Sequence, residues 1–79
     1  CLEEMELVPL GEVGLVQELD GGRGVVGRLA ALGFTRDAEV TMVQNFGRGP
    51  VIVTVRDTRI ALGRGEAGKI RVTKKGALR

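Results

Sequence analysis

Apolar and polar residues alternate along most of this 79-residue chain, a pattern typical of short, half-buried β-strands. The runs with this pattern are 13–19, 39–45, 50–55, 58–63 and a last one that places Ile70 and Val72 inward. The first run has a mixed periodicity, which indicates a β-bulge or a strong twist. Two connections have hairpin length, FGRG at 46–49 and the pair Asp57 and Thr58.

One segment has the helical period instead, and it begins at Arg23. Its apolar residues fall at positions i, i+4 and i+7, and they are Val25, Leu29 and Leu32. This spacing predicts a helix of about ten residues with one buried face. Five short strands, with one helix between the first and the second, describe a mainly β fold: a small, partly closed barrel.

Two glycines of this segment have different expected roles. Gly33 follows the last periodic residue, and we expect it to end the helix in the left-handed conformation, with Phe34 folding back on the last turn. Gly27 lies inside the helix, where it costs about 1 kcal/mol relative to Ala. Close packing of another backbone against Gly27 is the interpretation that accounts for it.

The glycines around the helix start also form a literal G-x-G-x-x-G at Gly22, Gly24 and Gly27. In dinucleotide-binding domains this motif belongs to a parallel sheet, with an acidic residue about 20 positions further on. Here Glu39 is only 12 residues past Gly27, and strand patterns rather than a second long helix follow. We therefore expect no bound nucleotide and no other cofactor.

Composition and length indicate one small globular domain over residues 1–79. The chain is 43% hydrophobic and 28% charged, which is typical of a folded soluble protein. No apolar run approaches the ~20 residues of a membrane span, and no signal-peptide pattern begins the chain. A cytoplasmic location is the resulting expectation.

Charge is distributed unevenly along the chain. Residues 1–20 carry six carboxylates and no Lys or Arg, whereas the rest carries all 12 basic side chains and four acidic ones. A basic region can bind nucleic acid, but modules for single strands also need aromatic stacking platforms, and the chain has two Phe, no Tyr and no Trp. We favour acidic and basic strands lying side by side, and expect no nucleic-acid partner.

Catalytic and metal-binding side chains are scarce. The chain has no His and no Ser, and its single Cys is terminal, so no nucleophile and base can be paired and we expect no enzyme and no catalytic residue. Only the carboxylates of Glu3, Glu4 and Glu6 are clustered, and we expect no specific metal site.

Exposed arginines are the best candidates for binding another protein. Arg23 and Arg28 fall on the solvent side of the predicted helix, where a guanidinium can hold a carboxylate of a partner. Arg48 lies at the predicted hairpin tip, and there we favour an ordinary solvated side chain.

Longer motifs make the chain similar to a known family. These are R-L-x-x-L-G-F-T at 28–35, the hairpin after FGRGPV at 46–51, R-I-A-L-x-x-x-E-A-x-K-I-x-V at 59–72, and the opening PLGEVGLV at 9–16. Together they resemble the ferrous-iron transport protein A family, FeoA. The segment TRDAEV departs from the Pro-Gly that the family commonly has after the threonine.

The resemblance implies an SH3-like barrel and a cytoplasmic accessory of ferrous-iron uptake. The accessory would act on the transporter FeoB through protein contacts, without a reaction, in a family commonly described in terms of transition metals. One alternative is the C-terminal SH3-like domain of an iron-dependent repressor, whose helix-turn-helix would precede this chain. The other is an SH3-like nucleic-acid-binding module. Neighbouring genes would separate the three.

Overall fold

A computed structural model describes residues 2–74 of the chain. Its elements, in chain order, are β1 (Glu3–Glu4), a 3₁₀ turn (Met5–Leu7), β2 (Val13–Leu19), α1 (Arg23–Ala31), β3 (Glu39–Gln44), β4 (Val51–Val55), β5 (Thr58–Leu62), α2 (Arg64–Ala67) and β6 (Ile70–Lys74). None of the helices in residues 2–74 is long and apolar enough to cross a membrane.

All six strands form one antiparallel sheet in the order β1-β6-β2-β3-β4-β5. The edge strands β1 and β5 do not pair with each other, so the sheet is not closed. The predicted mainly β fold, with a helix between two successive long strands, is confirmed. The described residues form six strands rather than the five predicted, because the two-residue β1 pairs with β6, through Glu3 with Val72 and Glu4 with Arg71.

The hydrophobic core lies on one face of the sheet and includes residues of α1 and of the 3₁₀ turn. Its buried apolar residues are Met5, Val8, Val16, Leu29, Phe34, Val40, Met42, Val51, Val53, Val55, Leu62, Ala67, Ile70 and Val72. Most of them come from alternate positions of the strands, since side chains of a strand point alternately to its two faces. The hydrophobic pattern therefore predicted most of the core.

Strand β2 contains the predicted bulge. Val16 pairs with Val72 but Glu18 pairs with Arg71, so Gln17 is an extra residue on β2. Nearby, a Cβ on Gly14 would lie 2.9 Å from Cγ2 of Val72, which is too close for a side chain. The glycine thus allows β2 and β6 to pack closely.

Helix α1 ends in a Schellman motif. The N–H of Gly33 donates to the carbonyl of Ala30 (3.0 Å), and the N–H of Phe34 donates to that of Leu29 (3.1 Å). Gly33 has a φ of 111°. The reversal places Phe34 against Leu29 in the core, and both side chains are fully buried.

Two expectations about α1 are wrong. Leu32, expected on the buried face, is 41% exposed, because the helix ends at Ala31 and the turn puts Phe34 rather than Leu32 beneath it. Gly27 is not packed against another backbone: a Cβ there would meet nothing within 4 Å, since this side of the helix faces solvent.

The hairpin between β4 and β5 also differs by one residue from the predicted one. Its loop is Arg56 and Asp57, with Thr58 already in β5. Both loop residues have positive φ, 53° and 63°, which is the geometry of a two-residue type I′ turn. Asp37 in the departing TRDAEV segment also has a positive φ, 68°.

Candidate partner-binding site

Helix α1 lies at the end of the sheet where β2 ends and β3 begins, and its outer face is the candidate site. Arg23 and Arg28 are exposed on this face. On the opposite side, Leu29 is fully buried and Val25 packs against the core. The helix can therefore present guanidinium groups to another protein while its apolar residues hold the fold.

Arg28 already has a partner within the chain. Its Nη2 donates to Oε2 of Glu66 in α2, a residue 38 positions further along the sequence. The two side chains are 57% and 34% exposed, so we expect this ion pair to contribute only about 0–1 kcal/mol to stability. A carboxylate on a partner would have to share the guanidinium with Glu66 or displace it.

Arg23 is the freer of the two arginines. It forms no hydrogen bond or ion pair with any residue in the described part of the chain. Beside it, Gly24 and Gly27 are exposed, and a Cβ on either would meet nothing within 4 Å. The outer face of α1 therefore has little side-chain bulk at these glycines, and the guanidinium at its start is unpaired among the described residues.

The acidic residues in and beside β2 form ion pairs with the basic residues of β6, as the uneven charge of the sequence predicts. Arg71 lies between Glu18 (3.6 Å) and Asp20 (3.4 Å). At the other end of the strand pair, Nζ of Lys74 lies 2.9 Å from Oε1 of Glu12. That hydrogen bond is the main cause that raises the pKa of Lys74 above its usual 10.5. The expectation of adjacent acidic and basic strands is confirmed.

Two surface grooves flank this end of the molecule. One, of about 460 Å³, lies between residues 35–39 and the turn of Arg56 and Asp57, and its lining is mainly polar. The other, of about 350 Å³, lies between β2 and α1 and is mainly apolar. Carboxylates, arginines and threonines supply the polar atoms of the first groove.

Metal-ligating side chains do not converge in residues 2–74: no three of His, Cys, Asp and Glu lie close enough to hold an ion. Glu6, one of the three clustered glutamates, is turned toward Arg64, with 3.8 Å between its Oε2 and Nη1. Its carboxylate thus lies beside an internal cation.

The sequence patterns did not indicate which residues stabilise the other end of the sheet, where β3 ends. Asn45 and Arg64 bind backbone carbonyls of distant segments, and three large apolar side chains beside them are exposed. From the sequence alone, Asn45 indicates only a turn, because Asn is common in turns. The Arg28–Glu66 pair was missed too, because no local pattern connects residues 38 positions apart.

This fold defines a class of protein: a small SH3-like β domain, here with two exposed arginines on the outer face of α1. The FeoA domain family profile matches residues 4–74, and the chain belongs to that family. A Methanocaldococcus jannaschii protein, named as an Fe(2+) transport protein A, is 37% identical over 62 residues, which cover 78% of this chain and 74% of the relative.

Solved structures agree with this membership. The crystal structure of an iron uptake regulatory protein (FeoA) superposes with a TM-score of 0.88 at 28% identity, covering 94% of this chain and 99% of that one. Zinc-complexed FeoA from Stenotrophomonas maltophilia, described as a prokaryotic SH3 domain protein proposed to activate ferrous iron transport, has a TM-score of 0.74 at 34% identity, with 86% of each chain covered.

The fold also occurs in repressors. A manganese-dependent transcriptional repressor has a TM-score of 0.82 at 18% identity, covering 92% of this chain but 41% of the repressor. At this identity the likeness shows a common fold alone.

Proposed function

We propose that this chain is an accessory protein of ferrous-iron uptake that works in the cytoplasm through contact with the transporter FeoB. Family membership and the ferrous-iron names of its relatives support this role. The scarcity of catalytic side chains, with no His and no Ser, favours binding over a reaction.

The observation that carries the proposal is the outer face of α1. Arg23 pairs with none of the described residues, and the glycines beside it let another protein approach the helix backbone closely. A planar guanidinium can bind a carboxylate through two parallel hydrogen bonds, which fixes orientation as well as adding affinity. We therefore place the contact with FeoB on this face, with Arg23 as its main charge and Arg28 as a second one shared with Glu66.

The alternative role, as a domain of an iron-dependent repressor, is supported by the common fold alone. The FeoA profile matches nearly the whole described chain, from residue 4 to residue 74. Ferrous-iron transport thus remains the better supported role.

Charge reversal on α1 tests the proposal. Arg23→Glu, alone and with Arg28→Glu, should weaken binding to purified FeoB in detergent and slow ferrous uptake by cells. Arg59→Glu is a matched control, since Arg59 is an exposed arginine on the edge strand β5. Melting temperatures of all variants should stay within a few degrees, because exposed charges contribute about 0–1 kcal/mol.

Two results would contradict the proposal. If both α1 variants fold and bind FeoB as the parent does, α1 is not the contact face. If the parent chain does not bind FeoB, and deleting its gene leaves ferrous uptake unchanged, the accessory role itself is wrong.

A further inference from the structure

Three exposed apolar residues lie on segments that meet where β3 ends, at the end of the sheet away from the start of α1. They are Leu7, Leu10 and Phe46, which we name the apolar tip. Their exposed fractions are 64%, 63% and 77%, the largest among the large apolar side chains of residues 2–74. Single exposed leucines need no explanation, but a group of three on adjoining segments is typical of an interaction site.

Hydrogen bonds bring together the segments that carry the three residues. Nδ2 of Asn45 donates to the carbonyls of Glu6 (2.8 Å) and Val8 (3.2 Å), the two neighbours of Leu7. The chain therefore brings Phe46, which follows Asn45, beside Leu7. Three residues on, the N–H of Gly11 donates to the carbonyl of Met42 (2.8 Å), so the segment carrying Leu10 runs along the end of β3.

Arg64 holds the loop that carries Phe46 in place. Its Nη2 donates to Oδ1 of Asn45 (2.8 Å), and its Nε donates to the carbonyl of Gly49 (3.2 Å). The N–H of Gly47 also donates to Oδ1 of Asn45 (3.1 Å). Because both ends of the loop are fixed before any partner arrives, ordering it on binding costs little entropy.

A second copy of the chain is a poor occupant of this surface. Three side chains of this size expose about 400 Å² between them, so two tips packed together would bury about 800 Å² in total, below the ~1,200 Å² of stable interfaces. An anionic membrane is also a poor occupant, because binding to anionic lipids typically takes a cluster of about four to eight basic side chains. Glu6 and Glu12 beside the tip are already paired with Arg64 and Lys74.

Charge and shape indicate a protein partner instead. Arg48 follows Phe46 by two residues, is exposed, and makes no ion pair with any described residue. The tip is formed by a 3₁₀ turn and two loops, and its three side chains are exposed, so a concave surface would cover them most completely. Such a surface would be apolar at its centre and would place a carboxylate opposite Arg48.

We infer that the apolar tip is a second protein-contact surface, and that it inserts into a concave apolar site with an acidic rim on the cytoplasmic part of FeoB. The inference rests on the proposed function and adds a contact at the end of the sheet away from α1. Phe46 is the anchor of this contact, because it is the most exposed of the three and is aromatic.

The test measures FeoB binding by tip variants of the 79-residue chain, using FeoB purified in detergent and biolayer interferometry. Phe46→Ser should weaken binding at least tenfold, and Leu10→Ser should weaken it severalfold. Leu2→Ser is the matched control, since Leu2 is a 44% exposed leucine outside the tip. It should change the Kd less than twofold. Thermal unfolding followed by circular dichroism should show every variant folded.

Each other outcome overturns the inference in a distinguishable way. If the parent binds FeoB and Phe46→Ser binds equally well, the tip is not a contact, although the proposed function stands. If the parent does not bind FeoB at all, the proposed function fails and the tip's partner with it. Concentration-dependent dimerisation that Phe46→Ser abolishes would assign the tip to a second copy. Binding to phosphatidylcholine–phosphatidylglycerol vesicles that the same change abolishes would assign it to lipid.

Discussion

The two ends of the sheet are built in opposite ways. At the α1 end, Leu29 and Phe34 point into the core while Arg28 lies on the surface. At the other end, the side chain of Asn45 turns inward to bind backbone carbonyls, and the apolar side chain of Phe46 points outward. At the tip, polar contacts therefore hold a segment whose apolar side chain is exposed, whereas at the helix the large apolar side chains are buried in the core.

The two phenylalanines of the chain show the contrast most directly. Phe34 is fully buried and Phe46 is 77% exposed, although each lies next to a glycine at the end of an element. Phe34 follows Gly33, whose left-handed backbone turns the chain back under α1. Phe46 lies beyond the last residue of β3, where the loop leaves the sheet. Backbone direction, rather than residue type, decides which phenylalanine stabilises the fold.

The largest difference in the free energy of unfolding should be between variants of these two phenylalanines. Phe34→Ala should destabilise the domain by about 3–5 kcal/mol through the cavity that it leaves. A domain of this size is stable by about 4–12 kcal/mol, so this variant should be close to unfolded. Phe46→Ala should change stability by less than about 0.5 kcal/mol. Urea unfolding measures both, and similar losses for the two variants would refute the contrast.

Two glycines sharpen the comparison within the α1 end. Gly33→Val should cost more than about 1 kcal/mol, because φ is 111° and a Cβ would lie 3.3 Å from Cδ of Arg56. Gly27→Ala should stabilise by about 0.5–1 kcal/mol, because it adds a good helix former in open space. Chemical denaturation measures both changes. An unchanged midpoint for Gly33→Val would mean that the positive φ of Gly33 is not needed to end α1.

Removing a polar contact at each end of the sheet should give a smaller difference in stability. Asn45→Ala removes two bonds to backbone carbonyls that are partly buried, and should cost about 1–2 kcal/mol. Arg28→Ala removes an exposed ion pair and should cost about 0–1 kcal/mol. Thermal unfolding of the two variants, at low and at high salt, tests this order. Equal losses would mean that the Asn45 network does not hold the tip.

Local patterns in the sequence determined the helix, most strands and the cap at Gly33. The alternation of Val51, Val53 and Val55 predicts which face of β4 is buried, since side chains of a strand alternate. The position of Gly33 after the last apolar residue predicts the reversal, because glycine adopts positive φ without steric cost. The mixed periodicity of 13–19 likewise predicted the bulge at Gln17.

Only the tertiary structure decided the exposure of Leu32, Phe46 and the arginines. Burial of an apolar residue at the end of an element depends on what packs beneath it, and Leu32 is exposed because Phe34 fills that space. The pairing of Arg28 with Glu66 depends on the tertiary structure, which brings together α1 and α2 from positions 38 residues apart in the sequence. Local sequence determines periodicity and backbone conformation, whereas contacts between distant segments are set when the strands pair, and those contacts decide which side chains remain available to a partner.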